Sequence, residues 1–142
     1  MSDQNTELLI VDDAPDVLKA AQMLLEREYP KVRTLSHPEQ IAARGPGPRV
    51  VLLDMNFGPG ETSGEQGLAW LKRLLKREPD EVVIMVTAHG ELDTAVQAMK
   101  HGAADFVTKP WQNERLLATV HAGTTLASTR AEATRLRDRN AT

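Results

Sequence analysis

The sequence predicts an α/β protein: one doubly wound, parallel, five-stranded sheet with helices on both faces. Three observations carry that prediction. Short unbroken apolar runs, among them Leu8–Val11, Val50–Leu53 and Val82–Val86, read as strands buried on both sides, as in the middle of a parallel sheet. The stretches between them carry apolar residues at helical spacing. Strand and helix patterns then alternate along the chain, which calls for right-handed crossovers and two covering layers of helix.

Glu7–Val11 is the first strand, and it ends in the carboxylates Asp12 and Asp13. Pro15 follows where a first helical turn tolerates proline, so Asp13 or Ala14 starts a helix. Val17, Ala21, Leu24 and Leu25 give that helix a core-facing stripe that ends near Tyr29-Pro30. Val32–Leu35 is a short second strand. Pro38–Ala43 reads as a short second helix, closed by Gly45-Pro46-Gly47-Pro48. The third strand, Val50–Leu53, stops at Asp54, and a long loop leads to a third helix marked by Leu68, Leu71, Leu74 and Leu75 and stopped by Pro79. Val82–Val86 is the fourth strand and runs into Thr87-Ala88-His89-Gly90. Leu92, Ala95, Val96 and Met99 stripe a fourth helix, which Gly102 closes. Asp105–Thr108 is the fifth strand and leads into Lys109-Pro110. A last helix starts near Gln112 or Asn113, and Gly123 is its weak point, at a cost of about 1 kcal/mol relative to alanine.

Composition bounds what such a sheet could do. The 142 residues suit one domain with a real core, and 41% of them are apolar. Without cysteine there is no disulfide, thiol catalysis or thiolate metal site. The polar, acidic start from Met1 to Glu7 lacks the pattern of a signal peptide, and no apolar run spans a bilayer. These features fit the cytoplasm. A net charge of −3 gives nucleic acid and anionic membranes no general attraction.

In a parallel sheet the carboxyl ends of all strands share one edge, where ligands bind. That edge collects Asp12 and Asp13 from the first strand, Asp54 from the third, Thr87 from the fourth and Lys109 from the fifth. Each has a plain structural explanation as a helix cap, a turn hydroxyl or an exposed charge. Their convergence at one edge is harder to explain that way. Two carboxylates 4 Å apart repel by roughly 4 kcal/mol at an effective dielectric near 20. A hard divalent cation relieves this, and Mg2+ is the usual choice beside phosphate. Lys109 then suits a phosphate oxygen, and the Thr87 hydroxyl another. A carboxylate nucleophile, a metal and two donors make a phosphoryl-transfer site whose product is an acyl phosphate on Asp54.

Five motifs in order, Leu-Leu-Ile-Val-Asp12-Asp13, Val-Val-Leu-Leu-Asp54, Val-Thr87-Ala88, Asp105-Phe106-Val-Thr and Lys109-Pro110, resemble the receiver domain of two-component response regulators over about residues 7–122. The resemblance implies a flavodoxin-like (βα)5 fold with strand order 2-1-3-4-5. It implies that Asp54 accepts phosphate from a sensor histidine kinase. Asp13 and Asp54 would ligate Mg2+, with Asp12 acting through water and Asn56 through its backbone carbonyl. Thr87 and Ala88, with Lys109, would meet the phosphoryl group, Phe106 would change rotamer on activation, and Lys109-Pro110 would be a cis peptide. His89, at the rim, is either an influence on acyl-phosphate lifetime or a plain loop histidine.

Two departures from the family pattern stand out. The segment Phe57 to Gly67 is longer than usual by several residues and adds Glu61 and Glu65, and Phe106 stands where tyrosine is also frequent. Asp-Met-Asn-Phe at the start of that segment resembles receivers at the N-terminus of sigma-54-dependent transcriptional activators. A receiver over 1–122 followed by a linker helix over 123–142 is the expected division, as a fragment of such an activator.

The last helix offers two seams for a partner copy at alternating 3,4 spacing. One is Leu117, Val120, Thr124, Ala127, Ala131 and Thr134; the other is Ala122, Leu126, Thr129, Ala133 and Leu136. A homodimer would form through this helix, through the face made by the fourth helix, fifth strand and last helix, or through both. A solvated helix frayed after Gly123 is the simpler alternative. His37, His101 and His121 lack metal-ligand spacing and read as solvated, Trp70 as packing, and Trp111 as a neighbour of the site. Two rivals to the signalling switch remain: a receiver-like module that is never phosphorylated, and an aspartyl-phosphate phosphatase. The phosphatase reading is weakened because the first strand ends in adjacent aspartates rather than Asp-x-Asp.

Overall fold

A computed structural model describes residues 5–45, 47–57, 64–88 and 92–140. Five parallel strands form one sheet in the order β2-β1-β3-β4-β5, with β1 at Glu7–Val11, β2 at Val32–Leu35, β3 at Arg49–Asp54, β4 at Val82–Ala88 and β5 at Asp105–Lys109. Among the described residues the helices are α1 (Pro15–Leu25), α2 (Glu65–Arg77), α3 (Leu92–Lys100) and α4 (Asn113–Asn140). Both faces of the three central strands are covered, which is why their sequences read as unbroken apolar runs. Even positions such as Leu8, Ile10, Val50, Leu52, Val82 and Ile84 pack with α1 and α4. Odd positions such as Leu9, Val11, Val51, Leu53, Val83 and Met85 pack with α2 and α3.

The predicted second helix is reduced to one 3-10 turn at Pro38–Gln40. Backbone groups of the remaining segment find partners elsewhere. The Arg49 guanidinium donates to the Ala42 carbonyl at 2.9 Å, and the Arg44 N–H donates to Glu78 at 2.7 Å. Long-range bonds therefore hold the segment out of helix from Ile41 onward, and no local pattern reveals them. His37 caps this turn: its Nδ1 accepts the Glu39 N–H at 3.1 Å, and its ring lies 5.6 Å from Phe57 and 5.9 Å from Trp70. It is thus a packed cap rather than the solvated histidine expected.

α1 stops at Leu25, before the expected Tyr29, although Tyr29 is buried in the core. α4 runs unbroken through Gly123, where a Cβ would meet Ile84 Cδ1 at 3.0 Å. The glycine there lets the helix lie close against β3 and β4, so tertiary packing overrides its poor propensity. Beyond it, Thr124 and Ala127 are buried, and Ala127 belongs to the core shared with Leu8 and Val50. Arg130 donates to the Glu81 carbonyl at 3.1 Å, while Thr134 and Arg137 hold Asp80. The first of the two proposed seams is therefore corrected. Its Val120, Thr124 and Ala127 face the chain's own sheet and are not open to a partner copy. A heptad stripe and a core-facing stripe nearly coincide over a few turns, because their periods of 3.5 and 3.6 residues differ so little.

The amino-terminal edge of the sheet holds a buried ion network. Arg49 contacts Glu81 at 2.6 and 3.0 Å and Glu78 at 3.1 Å. Burial pushes the Glu81 carboxyl up to about 7, with Arg49 opposing and Glu78 reinforcing. Glu78 is held below its ordinary range, because its bonds to Glu81, Arg44 and Arg49 outweigh its own desolvation.

Candidate functional site

The opposite, carboxyl-terminal edge gathers the polar residues. β1 and β3 are neighbours in register, with Val11 beside Leu53, so Asp12 and Asp54 emerge side by side. Oxygens of Asp12, Asp13 and Asp54 lie within 4.8 Å of one another, with Asp12 and Asp54 buried and Asp13 exposed. Asp12 Oδ1 accepts the Ala14 N–H at 2.9 Å, which ties it to the start of α1. Its Oδ2 accepts from Lys109 Nζ at 2.9 Å, and the same ammonium lies 3.1 Å from Asp54 Oδ1. Residues from three strands thus meet around one cation.

The electrostatics follow from this crowding. Burial, then the charge of Asp12, lifts the Asp54 carboxyl to about 6, against the pull of Lys109 and the Asn56 N–H. Burial alone would lower Lys109, but the Asp12 hydrogen bond and the charges of Asp54 and Asp12 together hold it above its ordinary value. One ammonium does not balance three carboxylates. The cluster offers only oxygen donors, so it fits a hard divalent cation of the magnesium type.

Strand parity sorts the remaining residues. Lys109 pairs with Ala88 and shares the α1/α4 face with Val107, where Asp12 and Asp54 also lie. Thr87 is buried, pairs with Thr108, and shares the α2/α3 face with Met85 and Phe106. Thr87 and Phe106 are therefore neighbours on adjacent strands. Ala88 is exposed at the end of β4. The Lys109–Pro110 peptide is cis. Trp111 lines, with Asp16, Val17 and Ala20, a shallow groove of about 480 Å³ beside Lys109. His89 lies outside the described residues, as does Glu61; Glu65 is exposed on the first turn of α2.

The end of β3 is held from behind. Met55 N–H donates to the Val86 carbonyl at 3.1 Å, and the Met55 carbonyl accepts from Gly67 N–H at 2.8 Å. A Cβ on Gly67 would lie 2.6 Å from Met55 Cα, so only glycine lets α2 sit directly on this backbone. Asn56 Oδ1 accepts the Gly64 N–H at 2.7 Å, and Gln66 Oε1 accepts the Phe57 N–H at 2.6 Å. Gln66 was not singled out from the sequence. Its place two residues after Gly64 and one before Gly67, in a first helical turn facing a strand end, is the available signal.

Comparison with known proteins agrees with this architecture. The family model described as the response regulator receiver domain matches residues 8–121. The C4-dicarboxylate transport transcriptional regulatory protein DctD of Pseudomonas aeruginosa is 35% identical over 120 residues, covering 83% of this chain and 25% of that protein. The nitrogen assimilation regulatory protein NtrX of Azorhizobium caulinodans is 36% identical over 115 residues, covering 78% of this chain and 24% of that one. The chain thus spans about a quarter of the length of these curated relatives. Among solved structures, the N-terminal receiver domain of a two-component response regulator from Bacteroides fragilis superposes with a TM-score of 0.73 at 39% identity, covering 85% of this chain and 98% of that one. NtrX from Brucella abortus superposes with a TM-score of 0.79 at 29% identity over 99% of this chain and 30% of its own. With the fold, the edge cluster and the family match in agreement, the chain belongs to the response regulator receiver domains of two-component systems.

Proposed function

We propose that the chain is a phosphorylation-dependent switch in which Asp54 takes a phosphoryl group from a phosphohistidine on a cognate sensor histidine kinase. The observation that carries this reading is Lys109 Nζ held between Asp12 and Asp54 within a three-carboxylate cluster. An Asp54 oxygen forms the new P–O bond while the P–N bond to the donor histidine breaks and the imidazole keeps the electron pair. Asp54 is fixed by β3 and aimed from a rigid strand end, which lowers the entropic part of the barrier. Lys109 leaves one carboxylate to meet the incoming phosphoryl oxygens; the Ala88 backbone at the end of β4, and Thr87 once turned from the α2/α3 face, would meet the others.

Asp13, Asp54, Asp12 through water and the Asn56 carbonyl would hold Mg2+, which when bound neutralises phosphoryl charge and mutual carboxylate repulsion. Phe106, beside Thr87 on one face, is the group that shifts when Thr87 moves. The protein acts on its own carboxylate rather than turning over a separate substrate, in the cytoplasm. No helix among the described residues is long and apolar enough to cross a membrane.

The relatives' names point to transcriptional regulation, and we propose a sigma-54-dependent output carried by further domains, with no direct nucleic-acid contact by this region. The division into a receiver over 1–122 and a linker helix over 123–142 then places Thr124 and Ala127 of the linker in the receiver's core. A homodimer would use the second seam, whose Leu136 is exposed, or the α3–β5–α4 face, where Leu92, Val96 and Met99 are exposed.

Intact-mass measurement after incubation with acetyl phosphate and Mg2+ tests the switch. A gain of one phosphate, absent in Asp54→Asn and absent when Mg2+ is chelated, is expected. No gain favours an unphosphorylated interaction module. Sustained release of phosphate from many phosphoesters favours a phosphatase.

A further inference from the structure

We infer that Gln66, in the first turn of α2, is a positioning residue for the cation site. The inference rests on the reading above, in which the Asn56 carbonyl is a Mg2+ ligand. That carbonyl and the Phe57 N–H belong to one peptide unit. The unit is trans, so it is planar and the two groups point in opposite directions. Gln66 Oε1 accepts the Phe57 N–H at 2.6 Å. Holding the N–H therefore fixes the direction of the Asn56 carbonyl on the far side of the plane.

The preceding peptide unit is held in the same way. Its carbonyl, on Met55, accepts from Gly67 N–H at 2.8 Å, and its N–H, on Asn56, turns to the Asp54 carboxylate. Two adjacent residues of α2, Gln66 and Gly67, thus clamp two successive peptide planes after Asp54. Asn56 Oδ1 on the Gly64 N–H closes the frame from the strand side. Gly67 acts through its backbone and its lack of a side chain, whereas Gln66 acts through a side-chain acceptor that can be removed alone.

The frame also explains how the chain carries a long segment next to a metal site. Three hydrogen bonds join residues 55–57 to residues 64–67. Loop-closure entropy grows slowly with length, so once the base is fastened, extra residues between cost little. The orientation of the Asn56 carbonyl is then set by α2. Groups that orient metal ligands in this way typically contribute tenfold to a hundredfold in affinity.

The test compares the intact chain with Gln66→Met, which keeps side-chain length and helix propensity but has no acceptor oxygen, and with Gln66→Glu, which restores one. The Mg2+ dissociation constant is read from the dependence of Tm on Mg2+ concentration. Gln66→Met is expected to raise it by about tenfold, with Gln66→Glu close to native. Amide exchange at Phe57 is expected to quicken in Gln66→Met alone. Phosphorylation by acetyl phosphate is expected to slow at limiting Mg2+ and recover at saturating Mg2+, a split that general destabilisation would not give. Should Gln66→Met fold poorly, Gln66→Asn, one methylene short of Phe57, is expected to give the same loss. A native response to Mg2+ with an unchanged dissociation constant in the variant overturns the role of Gln66 and leaves the switch standing. A native chain with no response to Mg2+ overturns both.

Discussion

Asp54 sits in a place that disfavours its own charge. Its carboxyl rises from 3.8 to about 6, first through burial and then through Asp12. The folded chain therefore keeps this proton over a range in which the unfolded chain has lost it. The stability this group contributes is full below pH 3.8 and falls as the pH rises through about 6. Above that, the ionised carboxylate costs on the order of 1–3 kcal/mol, discounted for its residual solvent contact. Asp54→Asn is expected to raise Tm by several degrees at pH 8 in the absence of Mg2+ and to change it little at pH 4. Mg2+ should raise the native Tm more at pH 8 than at pH 5, and should raise that of Asp54→Asn much less; thermal melts with and without chelator check both. An Asp54→Asn chain less stable than native at pH 8 would show that the Lys109 pair outweighs the burial cost. The site was legible in the sequence because its residues end apolar strands, and parallel pairing brings those ends to one edge. Gln66 was not, since a glutamine in a first helical turn looks like any solvated residue until the peptide it holds is seen.

At the scale of elements, α4 shows how a correct period can carry a wrong partner. Helix and stripe were both visible in the sequence, but spacing alone does not say whether a stripe meets the chain's own sheet or a second chain. Packing settles it for Val120, Thr124 and Ala127, which are buried against the sheet. The lost second helix has a similar cause, for Ala42 and Arg44 are held by Arg49 and Glu78 across the fold. Ending the chain after residue 122 should therefore cost stability, because it uncovers Val50 and Ile84 and removes the Arg130 bond to Glu81. A loss of about 2–4 kcal/mol in urea unfolding is expected, comparable to removing a large buried side chain. Ending it after residue 132 should cost less, on the order of 1 kcal/mol, since the bonds at Asp80 are only partly buried. If the second seam pairs two chains, Leu136→Glu should lower the mass seen by analytical ultracentrifugation to that of a monomer and remove any dependence of Tm on chain concentration.

The whole molecule carries charge clusters at both ends of one sheet, each with a carboxyl that burial raises. At the carboxyl edge Asp12 and Asp54 share one lysine; at the amino edge Arg49 serves Glu81 and Glu78. A buried pair of this kind is weak support for stability but costly to break, because the remaining charge has no water to turn to. Glu81 is raised from 4.5 to about 7, chiefly by burial, so its contribution is full below pH 4.5 and lost as the pH passes about 7. Glu78 is lowered, so its contribution is lost instead as the pH falls below its ordinary range. Between these limits the slope belongs to Glu81 once Asp54 is removed, and an Asp54→Asn background isolates it. In that background Tm should fall between pH 5 and pH 7.5, by at most the equivalent of about 3 kcal/mol. Glu81→Gln should flatten the fall. Arg49→Met should lose about 3–5 kcal/mol at pH 8, where buried Glu81 would be left facing Glu78 without its guanidinium partner. Its loss should be smaller at pH 5, where Glu81 can take a proton. An equal loss at both values would mean that Glu81 stays ionised throughout, and that Arg49 fully offsets its burial.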